Sequence, residues 1–531
     1  MANSSLLLLL FLIPALGAVV EYPLGRARSA LAGAPSVAGA LGAFAVAVTM
    51  AFRIAESGDL FALGGWFHAD ALSAVVAIVV TFVGLAATLF SIGYLRHEVE
   101  AGQYSQTRLP VYFVLNSVFI ATMAAVTVTN NVIMMYVVVE ATTLASALLV
   151  TYYRKPGAWE AGYKYLLLCS VGITMGLLGC VILYSAAVPL LGGHRAMQIS
   201  ELATVADQLP PTAVVVGCVL IIIGFGSKAG LIPFHAWLPD AHSQSPSPVS
   251  ALLSGVTLKV AIYAIARIAS LFYAGHGALG VFCIVLGAIT MLGGIIAAFS
   301  QTDLKRLLAY SSVSQVGYII MGLGIGSYLG FYGAVYHLMN HALDKAMLFL
   351  CTGLLLYSCG TTSIEELGKR KHSPLVALCF FIGALAISGV PPLNGFWSKF
   401  AIYTAAAEAH LWWALGVALL TSLITIAVLV RAGYLIFLRN TDHDHGSTDV
   451  SGDAALAFGD GAATPTFDGS AGTPAFDGSA VLAVGGRVPH QGYPVMMIGV
   501  VVTMTVLVVV TGLNLSVFNR LIDLSVGVLL R

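Results

Sequence analysis

The chain has 531 residues, of which 59% are hydrophobic and 9% charged, with 24 basic residues balanced by 24 acidic ones. Soluble domains carry about 25% charged residues, so water is not its main solvent, and a net charge of zero gives no footing for a nucleic-acid partner. Its seven cysteines (169, 180, 218, 283, 351, 359 and 379) lie in or beside apolar runs without a CxxC pair, a pattern of small core residues rather than of a metal site, an iron–sulfur cluster or a disulfide framework.

Met1 to Tyr22 has the apolar run of a signal peptide but no basic start, and Pro14 interrupts it, so it reads as an uncleaved first helix. A membrane span needs about 20 mostly apolar residues. Such runs lie near 5–21, 29–52, 71–94, 110–129, 131–152, 163–188, 211–236, 246–274, 277–300, 304–326, 328–358, 375–408, 411–438 and 493–513. The expected fold is therefore an all-α polytopic membrane protein with about fourteen spans. The run 375–408 is too long for one straight crossing and holds Pro391, Pro392 and Gly395, so it reads as a helix broken partway. Between 440 and 491 the chain turns rich in Asp, Gly, Ala and Thr, with a short tandem at 464–470 and 473–479, and is expected to be a flexible cytoplasmic loop. Asp442, His443, Asp444 and His445 within it are a weak metal pattern and are taken as solvated.

Basic residues set the direction of the spans. Loops after odd-numbered spans hold Arg26, Arg28, Arg96, Arg108, Arg154, Lys155, Lys164, Lys305, Arg306, Lys369, Arg370, Lys371, Arg431, Arg439 and Arg487, whereas loops after even-numbered spans hold only Arg53, Arg195 and Arg267. That bias puts the odd loops in the cytoplasm and both termini on the outer side of the cell (inner) membrane.

Four lysines remain inside the spans, Lys228, Lys259, Lys345 and Lys399, together with Glu140 and Asp344. Insertion scales put such a group at roughly 2.5–3.5 kcal/mol at mid-bilayer, so six would cost on the order of 15–20 kcal/mol if unpaired and dry. They must face one another or a wet interior. Lys228 precedes Gly230, Pro233, His235 and Pro239, and Lys399 follows Pro391 and Gly395, so both lysines flank helix breaks of the kind found in ion-coupled transporters. His337, His341 and Lys345 recur at i, i+4 and i+8, a polar stripe about 12 Å long on an otherwise apolar helix. Lysine deprived of water gives up its proton more readily, an adjacent carboxylate opposes that, and histidine exchanges protons near neutral pH. These residue types suit a proton relay running from Lys228 through Lys259, His341 and His337 to Lys345 and Lys399, with Glu140 as the carboxylate partner of Lys228. The alternative, a purely structural scaffold, makes the same charges dispensable.

Three stretches carry a resemblance: Ser227 to His242 with Ser245 to Ser254, Thr302 to Ser312, and the stripe from His337 to Lys345. In them the chain resembles the antiporter-like membrane subunits shared by respiratory complex I, energy-converting membrane-bound hydrogenases and Mrp-type cation/proton antiporters. The resemblance implies three N-terminal helices (1–109), two inverted five-helix repeats (110–274 and 277–438), the loop 440–491 and a last helix with its tail (493–531). It implies that Glu140 and Lys228 form the family's glutamate–lysine pair, that Lys259 and His341 connect the halves, and that Lys399 is terminal. His235, Pro233, Pro391 and Asp344 are supporting residues. No cofactor and no redox centre are expected in such a chain; its partners would be other membrane subunits, including further antiporter-like ones, peripheral redox subunits and the lipid bilayer. Two features depart from the pattern. Asp344 stands where an apolar residue is expected, and the tail 514–531 is an amphipathic end segment rather than the long lateral helix of the most distal complex I subunit. A redox-driven complex is the first expectation, hydrogenase-type ahead of NADH–quinone-type. An Mrp-type sodium/proton antiporter subunit and a membrane partner of inorganic-carbon uptake are the alternatives, Lys259 counting against the last.

Overall fold

The computed structural model describes residues 2–102, 104–273, 275–439, 493–514 and 516–530. The loop 440–491, with its tandem and Asp442–His445, lies outside the described residues. The chain is a helical bundle: α1 (Ala2–Ala27), α2 (Ala34–Ser57), α3 (Ala71–Glu100), α4 (Leu109–Val128), α5 (Val132–Val150), α6 (Pro156–Leu191), a short α7 (Ile199–Leu202), α8 (Pro211–Ala229), α9 (Trp237–Gln244), α10 (Ser247–Leu252), α11 (Leu258–Ala269), α12 (Gly277–Phe299), α13 (Leu304–Ile325), α14 (Tyr328–Cys359), a short α15 (Ile364–Gly368), α16 (Pro374–Ser388), α17 (Asn394–Glu408), α18 (Trp412–Gly433), α19 (Val495–Leu513) and α20 (Ser516–Leu529). Thirteen helical stretches among the described residues are long and apolar enough to cross a membrane. The shorter α16, continued by α17, makes the interrupted crossing expected from Pro391 and Gly395. A two-stranded antiparallel ribbon, β1 (Leu60–Ala62) with β2 (Phe67–Ala69), is the only sheet among the described residues. The chain is an integral, multi-pass membrane protein.

Capping side chains start the helices where polar residues precede apolar runs. Asp70 accepts from the Ser73 amide at the start of α3, and Asn131 from Ile133 and Met134 at the start of α5. Glycines end the half-helices: Gly230 after α8 and Gly389 after α16 have φ of 80° and 85°, a conformation that needs no Cβ. Pro233 and Pro391–Pro392 then supply no amide to continue the helix. At the first break the Trp237 indole donates to the carbonyl of Ser227 (2.9 Å). At the second, Trp397 ties α17 to the carbonyl of Gly512 in α19 (3.0 Å).

Polar contacts at the two ends of the bundle segregate by loop. Arg96 reaches Ala30, Tyr152 reaches Arg108, and Asp240 receives both Lys164 (3.3 Å) and Arg306 (2.7 Å), all at odd-loop ends. Trp66 meets His194, and Asn130 meets Gly65 and Ser200, at even-loop ends. Two residues counted above as loop charges lie elsewhere. Arg267 is buried within α11, where it pairs with Asp70 and touches His68 (2.9 Å). Lys305 is buried in the first turn of α13 and donates to the Ser245 carbonyl (2.8 Å). Both sit at the ends of apolar runs, where a sequence cannot tell a loop charge from one folded inward. The tail forms α20, which packs on α3 and α14 and is held by Tyr328 to Asp523 (2.7 Å) and Tyr332 to Asn519 (2.9 Å).

Breaking a buried ion pair strands the remaining charge and costs about 3–5 kcal/mol, whereas removing both partners costs far less. Arg267→Met or Asp70→Asn alone should therefore lower thermal stability in detergent sharply, and the double variant should recover most of it. Helices α6 and α8 approach along facing glycines, and a Cβ on Gly224 would stand 2.3 Å from the amide nitrogen of Gly176. Gly224→Ala should cost at least about 1–3 kcal/mol, read as a lower melting temperature and lower yield of assembled protein.

Candidate functional site

All four lysines singled out from the sequence are buried in the interior, 0–1% exposed. Lys228 lies in the last turn of α8, where the glycine-lined contact with α6 leaves it facing α5. Its ammonium has three protons and three acceptors: the Val139 carbonyl (2.9 Å) and the hydroxyls of Thr142 (2.5 Å) and Thr143 (2.6 Å). Glu140, on the same turn of α5, does not touch it. One carboxylate oxygen accepts from Ser170 of α6 (2.5 Å), the other has no partner, and the side chain is half-buried. No hydrogen bond or ion pair links Glu140 to Lys228: the two expected partners stand on facing helices without direct contact, and threonine hydroxyls cage the lysine.

Lys259 stands at the start of α11, just after a π-helical turn, Leu253–Thr257, and its ammonium donates to the Ser254 carbonyl (2.5 Å). Such widened turns are frequent at functional sites. The Ser254 hydroxyl meets that of Ser312 in α13 (2.8 Å), and the neighbouring Ser311 hydroxyl accepts from Lys345, which also donates to the Leu308 carbonyl (3.1 Å). Serines of the quoted motifs therefore bridge Lys259 to Lys345 across α13.

Helix α14 is central, packed by α3, α10, α13, α16, α17 and α19. On it the imidazoles of His337 and His341 lie parallel, with centroids 6.1 Å apart. His337 contacts Ser398 of α17 (2.9 Å) and Gln315 of α13 (3.2 Å), while neither ring nitrogen of His341 has a partner. Lys399, next to Ser398, reaches the Ser388 carbonyl (3.3 Å) at the break and Ser422 of α18 (3.0 Å), and lies 4.5 Å over the Tyr318 ring. The spatial order along the stripe is therefore Lys259, Lys345, His341, His337, Lys399. This differs from the order expected from residue types: the stripe's lysine end faces Lys259 and its His337 end faces Lys399, because Lys345 lies against Leu308 and Ser311 of α13 while His337, two turns earlier, lies against Ser398 of α17.

Asp344 is fully buried and does not pair with Lys345. One of its oxygens accepts from Asn394 (3.2 Å), the residue that opens α17, and the other has no partner. His235 is half-buried against the Tyr310 ring, away from this row. Pro233 and Pro391 lie in the breaks themselves, where they shape the backbone and offer no polar side chain.

Residue types alone passed over His242. It is fully buried at the end of α9, stacked on Phe349 (4.5 Å, 8°) with both ring nitrogens unpartnered, and the fields of Lys305, Lys345 and Lys259 reach it. Its place in the Asp240–His242 motif was the available signal. Buried Glu98 was also missed; Tyr153 (2.6 Å) and Tyr104 (3.0 Å) each donate to one of its oxygens, and four tyrosines nearby (94, 104, 152 and 153) are its trace in the sequence. Among the described residues most of the unpartnered buried polar atoms lie along this interior, on Glu140, His242, Ser247, Thr257, Ser314, Gln315, Asn340, His341 and Asp344; Asn116, His235 and Arg267 hold the others. Buried polar groups left open in this way mark places for ordered water.

Known proteins are similar to this chain in sequence and fold. Residues 129–425 match the family model described as NADH:quinone oxidoreductase/Mrp antiporter, TM, and residues 57–105 match that of the NADH-ubiquinone oxidoreductase (complex I) chain 5 N-terminus. The chain is 36% identical to the hydrogenase-4 component F homolog of Methylacidiphilum infernorum, over 66% of this chain and 75% of that one. It is 30% identical to a Na(+)/H(+) antiporter subunit of Alkalihalophilus pseudofirmus, over 76% of this chain and 81% of that one. Its fold superposes on a chain of the membrane-bound sulfane sulfur reductase, an archaeal respiratory membrane complex, with a TM-score of 0.79, 25% identity and coverage of 99% and 98%. The family model spans more than half of the chain and crosses the whole lysine–histidine row: the chain belongs to the NADH:quinone oxidoreductase/Mrp antiporter family of membrane subunits.

Proposed function

We propose that this chain is a proton-translocating, antiporter-like subunit of a redox-driven membrane complex, moving protons along Glu140/Lys228, Lys259, Lys345, His341, His337 and Lys399. The observation that carries the reading is the row of fully buried lysines and histidines whose nearest partners are hydroxyls, carbonyls and open polar atoms instead of counter-charges. A structural lysine would be neutralised by a carboxylate; a lysine in a ring of hydroxyls can lose and regain its proton without stranding a partner. Water at the open atoms would join the stations. In this reading the segments 110–274 and 277–438 are the two repeats, each with a broken helix beside its lysine. The odd loops, with their basic residues, face the cytoplasm and the termini face the outer side of the inner membrane.

The source of energy lies in partner subunits. Glu140 supports a membrane partner: it is half-buried on a face with exposed Val137, Leu144 and Leu148, flanked by Leu167 and Val171 of α6. A carboxylate at that depth against lipid costs several kcal/mol, and a neighbouring subunit covering the face removes that cost. The hydrogenase-4 relative favours a hydrogenase-type complex, with peripheral redox subunits among the partners. The longer match to the sodium/proton antiporter relative keeps sodium/proton exchange as the second reading. Purifying the chain with its partners separates the two, since the first expects iron–sulfur proteins and the second only small membrane subunits.

Lys228→Ala and Lys399→Ala should assemble and lose at least ten-fold in proton translocation, measured as acidification of vesicles holding the intact complex; full rates in both would overturn the path. The Thr142→Val/Thr143→Val variant removes two hydrogen bonds to a charged group, each worth roughly 1.5–3 kcal/mol. It should slow translocation and move its pH optimum, with assembly retained.

A further inference from the structure

Four acidic side chains are buried among the described residues: Glu21, Asp70, Glu98 and Asp344. Three of them have donors on both oxygens. Glu21 accepts from the Gly33 amide and from Ser36, Asp70 from the Ser73 amide and Arg267, and Glu98 from Tyr153 and Tyr104. Such carboxylates are held in one place by donors on both oxygens. Asp344 is different: Asn394 caps one oxygen and nothing caps the other. One helical turn earlier on α14, the amide oxygen of Asn340 is open as well, while its nitrogen donates to the Asn394 carbonyl (2.9 Å). Among the described residues Glu140 is the other carboxylate with one bonded oxygen and one buried oxygen left open.

The likeness extends to the surroundings. Glu140 lies on the turn of α5 whose Val139, Thr142 and Thr143 hold Lys228, just ahead of the first helix break. Asp344 accepts from Asn394, which opens α17 after the second break, and Lys399 follows on that same helix; the charge of Asp344 also reaches Lys345 and Lys259. Neither lysine touches its carboxylate, and each ammonium is bonded to hydroxyl and carbonyl oxygens. We infer that Asp344 and Lys399 form a second acid–base pair, so that each half of this chain carries its own carboxylate–lysine switch. The inference rests on the proton path proposed above and adds a member to it.

In the charged form the carboxylate steadies the Lys399 ammonium. Proton transfer breaks an Nζ–H bond and forms an O–H bond on the open oxygen of Asp344, through a water accepted by that oxygen and by Asn340. Amine and carboxylic acid replace ammonium and carboxylate, and the interior gains no net charge. The titratable groups whose charge reaches Asp344 are Tyr336 and Lys345 on its own helix, Lys259 on α11 and Lys399 on α17, with His341 one turn earlier in α14. Three lysines around one carboxylate leave little room for a bound metal cation, and a proton is the ion the cluster suits.

The test uses the intact complex in vesicles, with proton translocation followed against pH. Asp344→Asn keeps the shape and the Asn394 contact but removes the charge, so it should assemble, translocate at least five-fold more slowly and lose its alkaline limb at lower pH, because Lys399 no longer has a counter-charge. Asp344→Glu should restore most of the rate. Adding Asp344→Asn to Lys399→Ala should slow transport little further, since one pair is lost in either case. A second measurement does not depend on how Asp344→Asn folds: infrared difference spectra should show a buried carboxylic-acid band whose titration moves to higher pH in Lys399→Met. A full rate with an unchanged pH profile in Asp344→Asn, or a band that Lys399→Met leaves in place, overturns the pair. If Lys228→Ala is inactive while Asp344→Asn is normal, the pair alone falls; if Lys228→Ala and Lys399→Ala both run at full rate, the path itself falls.

Discussion

Every polar feature of this bundle answers to the cost of holding charge away from water. The chain meets that cost in two distinct ways. Where a carboxylate serves the architecture both of its oxygens have donors, as in Asp70 with Arg267 and the Ser73 amide, or Glu21 with Gly33 and Ser36. Where a charge belongs to the central row it is left partly open, held by hydroxyls and carbonyls and flanked by atoms without partners. The first arrangement fixes a side chain in place; in the proposed path the second leaves room for a proton to move.

Backbone geometry makes the open arrangement possible. Two helices stop at glycines in the left-handed conformation and restart after prolines, leaving carbonyls such as that of Ser388 free to accept from a lysine. The π-helical turn before Lys259 brings its ammonium to a carbonyl of its own helix. Glycines along α6 and α8 let two backbones approach closely, which carries Lys228 to the threonines of α5. Interior chemistry thus depends on positions that carry no chemistry themselves.

Much of the site is legible in the residues alone, because a lysine in an apolar run is conspicuous and Gly/Pro pairs mark breaks. Lys228, Lys259, Lys345 and Lys399 all lie inside as their surroundings require. Residues at the ends of apolar runs are not legible: Arg267 and Lys305 read as loop charges and are folded inward, and Glu98 is hidden by tyrosines from separate segments. Arg267 and Asp70 are 197 residues apart, and nothing local in either stretch announces the other. The order of the relay escapes a reading of residue types for a related reason. Residue types name candidate proton carriers, but only the packing of Lys345 on α13 and of His337 on Ser398 of α17 says which are neighbours.

The sequence by itself determined the solvent, the helical spans, the two breaks and four of the buried lysines, since each follows from local composition and periodicity. Tertiary structure decided which carboxylates are sealed and which stay open, because that depends on donors brought from distant helices. Asp344 shows the division: its presence within an apolar helix is plain in the chain, yet only the placement of Asn394 across one oxygen, with nothing across the other, separates a fixed charge from one able to take up a proton.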